Sequence, residues 1–196
     1  MVATPDDVAK IAQYGWLQPG ESLHRVFERG HGHLVSTVAG RTAVPHEPPP
    51  GAFPKCAQDA PAGSRLPSEL VADGGYLDDE WAHDMGVLGW ATADAPGRTA
   101  LACADALAAG NGLAWLAATD RRIAVVMPAR SVDLPPDRLP PPAPLRGLET
   151  GLVTYWEAPS GVVAGVYEEV LGRHLIGYPF TRIAFTDGSW LLLRRS

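Results

Sequence analysis

Three glutamates in the sequence are each followed, three residues later, by a histidine. In di-iron carboxylate proteins this spacing places two ligands on one face of a helix, and four helices together supply the full ligand set. Two of the pairs fall on a predicted strand, where positions three apart point to opposite faces. The sequence therefore disfavours a di-iron site at Glu21–His24, Glu28–His31 or Glu80–His83.

The stretch DGGYLDDEWAHD, residues 73–84, is a better candidate metal site. Carboxylate oxygens suit calcium or magnesium. The stretch lacks the alternating acidic positions, glycine and distal glutamate of a calcium-binding loop. The acidic start of a solvated helix explains it better, because carboxylates favour a helix N-terminus. The residues concerned are Asp73, Asp78, Asp79, Glu80, His83 and Asp84.

The remaining nucleophiles and imidazoles have no partners close to them in sequence. His31 and His33 lie on one side of a predicted strand and supply at most half of a zinc site. Ser160 lacks the leading glycine of a nucleophile elbow, and neither Cys56 nor Cys103 has an activating signature. No phosphate-binding, dinucleotide-binding or zinc-protease motif is present. We therefore predict a protein that is not an enzyme, with no catalytic residue, no metal and no cofactor.

The stretch LAATDRRIAVV, residues 116–126, predicts a β-hairpin with a basic pair at its corner. Thr119 and Asp120 form turns readily through side-chain hydrogen bonds to the backbone. The strand that follows is apolar on both faces, which predicts that both faces are covered. Turn formation explains the corner without a ligand. Arg121 and Arg122 nevertheless remain the candidate contact residues for a ligand or partner.

The net charge and the distribution of apolar residues exclude several classes of function. The chain has 196 residues and a net charge of −6, which repels nucleic acid and anionic membrane. The N-terminal segment carries two aspartates and no apolar run, unlike a signal peptide. Polar residues and glycines interrupt the longest apolar stretch, residues 100–118, so it does not resemble a membrane span. We expect a cytoplasmic protein without a nucleic-acid partner.

Local patterns predict two helices. Residues 4–15 begin with a capping threonine, Thr4, followed by Pro5 and two aspartates that suit a first helical turn. The stretch GRTALACADALAAGNG predicts a second, short helix packed through small residues, with Cys103 buried and Gly110 as a left-handed stop.

Strands and loops fill the rest of the chain. The stretch ESLHRVFERG alternates well enough for a strand, with Leu23 and Phe27 on one side. Near the C-terminus, Asp187-Gly188 between apolar runs predicts a hairpin with a two-residue type I′ turn. Proline-rich stretches near 45–67 and 134–145 predict stiff loops, and most of the six tryptophans are expected in the core.

Three short segments, taken in order, resemble bacterial pleckstrin-homology-like domains and their GRAM-like relatives: WLQPGESL, LAATDRRIAVV and RIAFTDGSWLLL. The resemblance implies a bent antiparallel barrel that a C-terminal helix closes. Only three residues follow Leu193, so the N-terminal helix or the Ala100–Ala109 helix would have to cover the open end. We therefore predict one α+β, mainly β domain over 1–196, with the N-terminal helix, one internal short helix and the long proline-rich loops.

The leading functional hypothesis is a non-enzymatic protein-interaction or scaffold module that binds an unidentified protein through a strand edge or loop. An alternative is a lipid head-group-binding module that uses Arg121, Arg122, Arg194 and Arg195. A second alternative is a small metal-dependent enzyme that uses the acidic cluster at 78–84. A shared fold cannot choose among the three, because one fold hosts unrelated functions.

Overall fold

The computed structural model describes residues 4–27, 32–57, 65–147, 149–174 and 176–195. It is an α+β structure in which strands predominate. The α-helices are α1 (Pro5–Gln13), α2 (Glu69–Ala72) and α3 (Thr99–Ala109). The strands are β1 (Leu23–Val26), β2 (His33–Val38), β3 (Arg41–Ala43), β4 (Val87–Ala93), β5 (Trp115–Thr119), β6 (Arg122–Pro128), β7 (Leu152–Pro159), β8 (Val163–Leu171), β9 (Tyr178–Phe185) and β10 (Trp190–Arg194).

The strands form two sheets. The four-stranded sheet has the order β1-β5-β6-β7, and the six-stranded sheet has the order β3-β2-β4-β10-β9-β8. Neighbouring strands are antiparallel except for β2 and β4, which run parallel. Neither sheet closes on itself within the described ranges, so the predicted single antiparallel barrel is not confirmed, whereas the mainly β class is.

Helix α3 lies between the two sheets and contacts strands of both. Its Leu101, Cys103 and Leu107 belong to one core cluster with Ile123 of the four-stranded sheet and Leu191 of the six-stranded sheet. The alanines of α3 take little space, which lets both sheets approach the helix. The sequence prediction of a small-residue helix with a buried Cys103 is confirmed, and burial raises the pKa of that thiol.

Helix α1 covers the outer face of the four-stranded sheet. The Thr4 hydroxyl accepts a hydrogen bond from Asp7 N–H, and the Asp7 carboxylate accepts one from Thr4 N–H. This capping box and Pro5 in the first turn start the helix as predicted. Val8 and Ile11 then pack on the outer side of β5 and β6.

The β5–β6 hairpin is confirmed, and β6 is covered on both faces. Ile123 and Val125 pack in the cluster that contains α3, whereas Ala124 and Val126 pack in the cluster that contains α1. Alternate residues of a strand point to opposite faces, so an uninterrupted apolar strand fits between two helical layers.

Two local predictions were wrong in detail. Leu23 and Phe27 do not share a side, because the pairing of β1 with β5 shifts register between Leu23 and Arg25. Leu23 therefore packs beneath α1, and Phe27 packs in the cluster of α3. Gly110 ends α3 with an ordinary negative φ, and the left-handed conformation falls instead on Asn111 and Gly112.

The β9–β10 hairpin is confirmed, but its turn is not type I′. Phe185 and Ser189 pair through the backbone, and the N–H of Gly188 donates to the carbonyl of Phe185, which leaves a three-residue loop. Gly188 has a φ of +82°, whereas Asp187 lacks the positive φ that type I′ requires. Both oxygens of the Asp187 carboxylate are engaged: one accepts from the N–H and hydroxyl of Ser189, at 3.0 and 2.6 Å, and the other accepts from the N–H and hydroxyl of Thr99, both at 2.7 Å.

The described parts of the two proline-rich segments are loops, with one short 3-10 turn, Pro136–Arg138, and an isolated bridge between Cys56 and Val132. Four of the six tryptophans are buried, as predicted; these are Trp16, Trp81, Trp90 and Trp115. Among the described residues, no helix has both the length and the apolar character needed to span a bilayer.

We predict that Asp187→Ala destabilises the fold by about 2 kcal/mol, because the first turn of α3 loses its acceptor and four donors, two of Thr99 and two of Ser189, lose this partner. Urea unfolding monitored by circular dichroism measures this loss. Asp187→Asn keeps an acceptor oxygen and should lose clearly less. Equal losses for the two variants would contradict the capping role.

Candidate functional site

The corner of the β5–β6 hairpin is a junction between three segments. Asp120 exchanges hydrogen bonds with Ser22: its N–H donates to the Ser22 carbonyl, and its carboxylate accepts from Ser22 N–H at 2.9 Å. Ser160, at the turn between β7 and β8, donates from its hydroxyl to the Asp120 carbonyl and from its N–H to the Arg121 carbonyl. The corner therefore has a structural role of its own.

The two candidate arginines at this corner differ in their surroundings. Arg121 is exposed, and its guanidinium reaches only the Gly20 carbonyl, at 3.3 Å. Arg122 is largely buried, lies over the Trp16 ring and donates to the carboxylates of Glu21 and Glu157. Its guanidinium is thus occupied inside the molecule, and the structure leaves only Arg121 open to solvent.

Glu21 is a buried carboxylate whose charge Arg122 stabilises. Burial by itself raises the pKa of Glu21, but hydrogen bonds from Arg122, the Gln18 N–H and the Thr119 hydroxyl outweigh it and lower the pKa to about 2. Glu21 and Arg122 are 101 residues apart in the chain. The pair therefore joins the segment before β1 to the hairpin corner.

The two C-terminal arginines are also engaged. Arg194 is only 3% exposed and donates to the carbonyls of Val87, Ala82 and Asp84. Arg195 pairs with Glu168 of β8 at 2.9 Å. Arg194 is therefore inaccessible to a lipid phosphate in this conformation.

The acidic cluster is spread over the surface. Within the described ranges, no three histidine, cysteine, aspartate or glutamate side chains come close enough together to hold a metal ion. Glu80 pairs with His83 at 3.0 Å in the 3-10 helix Glu80–His83, and His83 also contacts the Gly172 carbonyl. His33 begins β2, while Glu28 and His31 lie outside the described residues.

A hydrogen-bonded Ser-His-Asp arrangement is present that the sequence did not predict. The imidazole of His46 lies 2.8 Å from the Ser36 hydroxyl and 2.9 Å from the Asp105 carboxylate. Ser36 is only 2% exposed, because it lies on β2 beneath α3, so substrate cannot reach its oxygen in this conformation. The series fastens the loop after β3 to α3, and no local motif joins residues this far apart in the chain.

Residues 65–86 cover the outer face of the six-stranded sheet. Trp81 and Val71 point inward and pack with Trp90, Phe180 and Leu192 of that face. The segment contains one four-residue α-helix and one four-residue 3-10 helix, so it has few inward positions for its apolar residues. Tyr76 also packs against Trp90, whereas Leu66, Leu70, Leu77 and Met85 face solvent.

Three of these outward side chains line a groove of about 490 Å³. Leu66 is 69% exposed, Leu70 is 58% exposed and Met85 is 54% exposed, and the buried Trp81 and Val71 also line it. Single exposed apolar residues are ordinary on protein surfaces, whereas several exposed apolar side chains that line one groove form a candidate interaction site. We call this feature the Leu70 groove.

The walls of the Leu70 groove are fixed by hydrogen bonds. The Asp84 carboxylate accepts from Ser68 N–H at 2.6 Å and from Gly86 N–H at 2.7 Å, which joins the two sides. A Cβ at position 86 would overlap the Leu66 carbonyl, so only glycine allows this approach. Arg194 holds the carbonyls of Ala82 and Asp84 from beneath. The groove is therefore built into the fold.

The outer edge of β8 is a second exposed feature. No described strand pairs with it, and Val166, Tyr167 and Val170 are exposed along the strand. Two glutamates of β8 form ion pairs with arginines, Glu168 with Arg25 and Arg195, and Glu169 with Arg182. Charged side chains on an edge strand discourage pairing with another chain, so this edge is less suited to docking than the Leu70 groove.

Comparison with protein-family models, with curated proteins and with solved structures finds no match to this chain.

We predict that Glu21→Gln lowers stability by about 2 kcal/mol near neutral pH, because Arg122 loses a charged acceptor. The depressed pKa of Glu21 stabilises the folded state above its ordinary value of 4.5, and this stabilisation is lost as the pH falls toward 2. The stability difference between wild type and variant should therefore shrink over that range.

Urea unfolding at several pH values measures this difference, with Glu47→Gln on the exposed loop as the control. A difference that stays constant between about pH 6 and about pH 2 would contradict the account of the Glu21 charge.

Proposed function

We propose that the protein is a non-enzymatic interaction module that docks a segment of a partner protein in the Leu70 groove. The observation that carries the proposal is the exposure of Leu66, Leu70 and Met85 side by side above a floor of Trp81. Exposed leucines cost free energy in water, about 25 cal/mol per Å² of apolar surface. A partner that covers them recovers this free energy on binding.

The side chains of the groove suit recognition of a peptide segment. Methionine is flexible and polarisable, which lets it fit apolar groups of different shapes. Trp81 is buried beneath the groove and packs on the sheet, so it gives the groove a rigid floor. The hydrogen bonds of Asp84 hold the walls in place, so little ordering is required when a partner binds.

The order of the three resembling segments supports a more specific proposal, that the chain is a divergent pleckstrin-homology-like module with its two sheets opened around α3. The lipid-binding alternative has less support, because Arg122 and Arg194 are engaged within the molecule. The metal-dependent alternative also has less support, because Glu80, His83 and Asp84 are each bound to neighbouring groups of the fold.

A displayed random library of peptides about twelve residues long tests the proposal, with the purified protein as the target. We expect enriched peptides to carry apolar anchors and to lose at least about tenfold in affinity for Leu70→Ser/Met85→Ser, because two anchor contacts are removed.

Tyr14→Ser, at an exposed aromatic residue after α1, is the matched control and should bind like wild type. The proposal fails if no peptide is enriched. It also fails if the enriched peptides bind the double variant as tightly as wild type, since they would then occupy another surface.

A further inference from the structure

The segment that forms the Leu70 groove carries most of the net negative charge of the chain. Residues 65–86 contain six carboxylates and one arginine, while the whole chain has a net charge of −6. The field of the molecule is therefore concentrated around an apolar groove. Such a field attracts a cationic partner and raises its rate of association.

Four of these carboxylates are available to a partner. Glu80 and Asp84 are occupied by the contacts that build the groove. Glu69, Asp73, Asp78 and Asp79 form no ion pair with any residue in the described ranges. Three of them, Glu69, Asp73 and Asp78, are exposed. Glu69 lies between the lining residues Ser68 and Leu70, and Asp79 precedes the lining residue Glu80, whereas the lining residue Arg65 adds one opposing charge. We call these four carboxylates, which flank the groove in the chain rather than line it, the acidic rim.

Apolar anchors within an acidic rim limit the possible occupants. A second copy of the chain would bring the same acidic segment, and the like charges would repel. Nucleic acid and anionic membranes carry negative charge and are repelled for the same reason. A polypeptide that combines apolar side chains with lysines or arginines satisfies both the groove and its rim.

We propose that the partner segment is a basic amphipathic helix, with an apolar face in the Leu70 groove and Lys or Arg side chains toward the acidic rim. The inference rests on the proposed function, and it adds the chemistry of the partner. Amphipathic helices present apolar residues at a spacing of three and four, which is how apolar grooves recognise them. The acidic rim then selects the charge of the polar face.

Fluorescence anisotropy with synthetic peptides of about 18 residues tests this inference. One labelled peptide has a leucine face and a lysine face, a second replaces every lysine with glutamate, and a third scrambles the leucine–lysine sequence. We expect the leucine–lysine helix to bind at least about tenfold more tightly than either of the others. Its affinity should fall as the salt concentration rises from about 50 to about 500 mM, because salt screens the rim charges.

Variants that remove negative charges test whether the attraction of the peptide comes from the acidic rim. The rim variant Glu69→Gln/Asp73→Asn/Asp78→Asn should lose about fivefold to tenfold in affinity for the leucine–lysine helix. Asparagine suits position 78, where φ is +51°. The control variant Glu47→Gln/Asp133→Asn/Asp137→Asn removes the same charge from exposed positions elsewhere and should lose less than about twofold.

The outcomes separate the inference from the proposed function. Binding of the leucine–glutamate helix as tight as that of the leucine–lysine helix would overturn the basic partner but keep the docking function, provided that Leu70→Ser/Met85→Ser abolishes it. Equal losses for the rim and control variants would also overturn the basic partner, since attraction would be general. If none of the peptides binds, and the displayed library yields none either, both proposals fail.

Discussion

The structure depends on the burial of α3 from both sides. Six of its eleven residues are buried, and only a narrow stripe that contains Ala102, Asp105 and Ala109 is partly exposed, so the helix requires apolar cover on most of its circumference. Both sheets provide this cover with their inner faces, and the carboxylate of Asp187 satisfies the N-terminus of α3 from the β9–β10 loop. Placing a helix between the sheets also separates them, which explains why the strands form two open sheets.

The outer faces of the two sheets are covered by other parts of the chain, and each sheet has a different cover. The four-stranded sheet receives α1, a nine-residue helix whose apolar face is fully used. The six-stranded sheet receives residues 65–86, whose short elements direct Trp81 and Val71 inward and leave Leu70 and Met85 outside. The Leu70 groove is thus a consequence of covering a wide sheet with irregular chain.

The features that the sequence predicted are local ones. The start of α1 follows from Thr4 and Pro5, and the β5–β6 corner follows from Thr119, whose hydroxyl accepts from the N–H groups of Arg121 and Arg122. Asp120 instead bonds Ser22, 98 residues away. The turn type after β9 was predicted wrongly; there the Asp187 carboxylate bonds Thr99, 88 residues away, as well as Ser189.

The candidate site was hidden for a related reason. Leu66, Leu70 and Met85 lie in an acidic stretch without periodicity, and only the fold shows which apolar residues of that stretch remain outside. Arg122 lies at a predicted corner, which suggested an exposed side chain. The structure pairs it instead with Glu21, which lies far from it in the chain, and largely buries it.

The most direct test of the account is a titration of the isotope-labelled protein with the leucine–lysine helix, followed by amide nitrogen–proton correlation spectra. We predict that the largest shifts fall on amides of residues 65–86, with little change in β8 or at the hairpin corner. Shifts concentrated on residues 163–171 would assign docking to the β8 edge. That result, or a spectrum without changes at saturating peptide, would contradict the Leu70 groove as the binding surface.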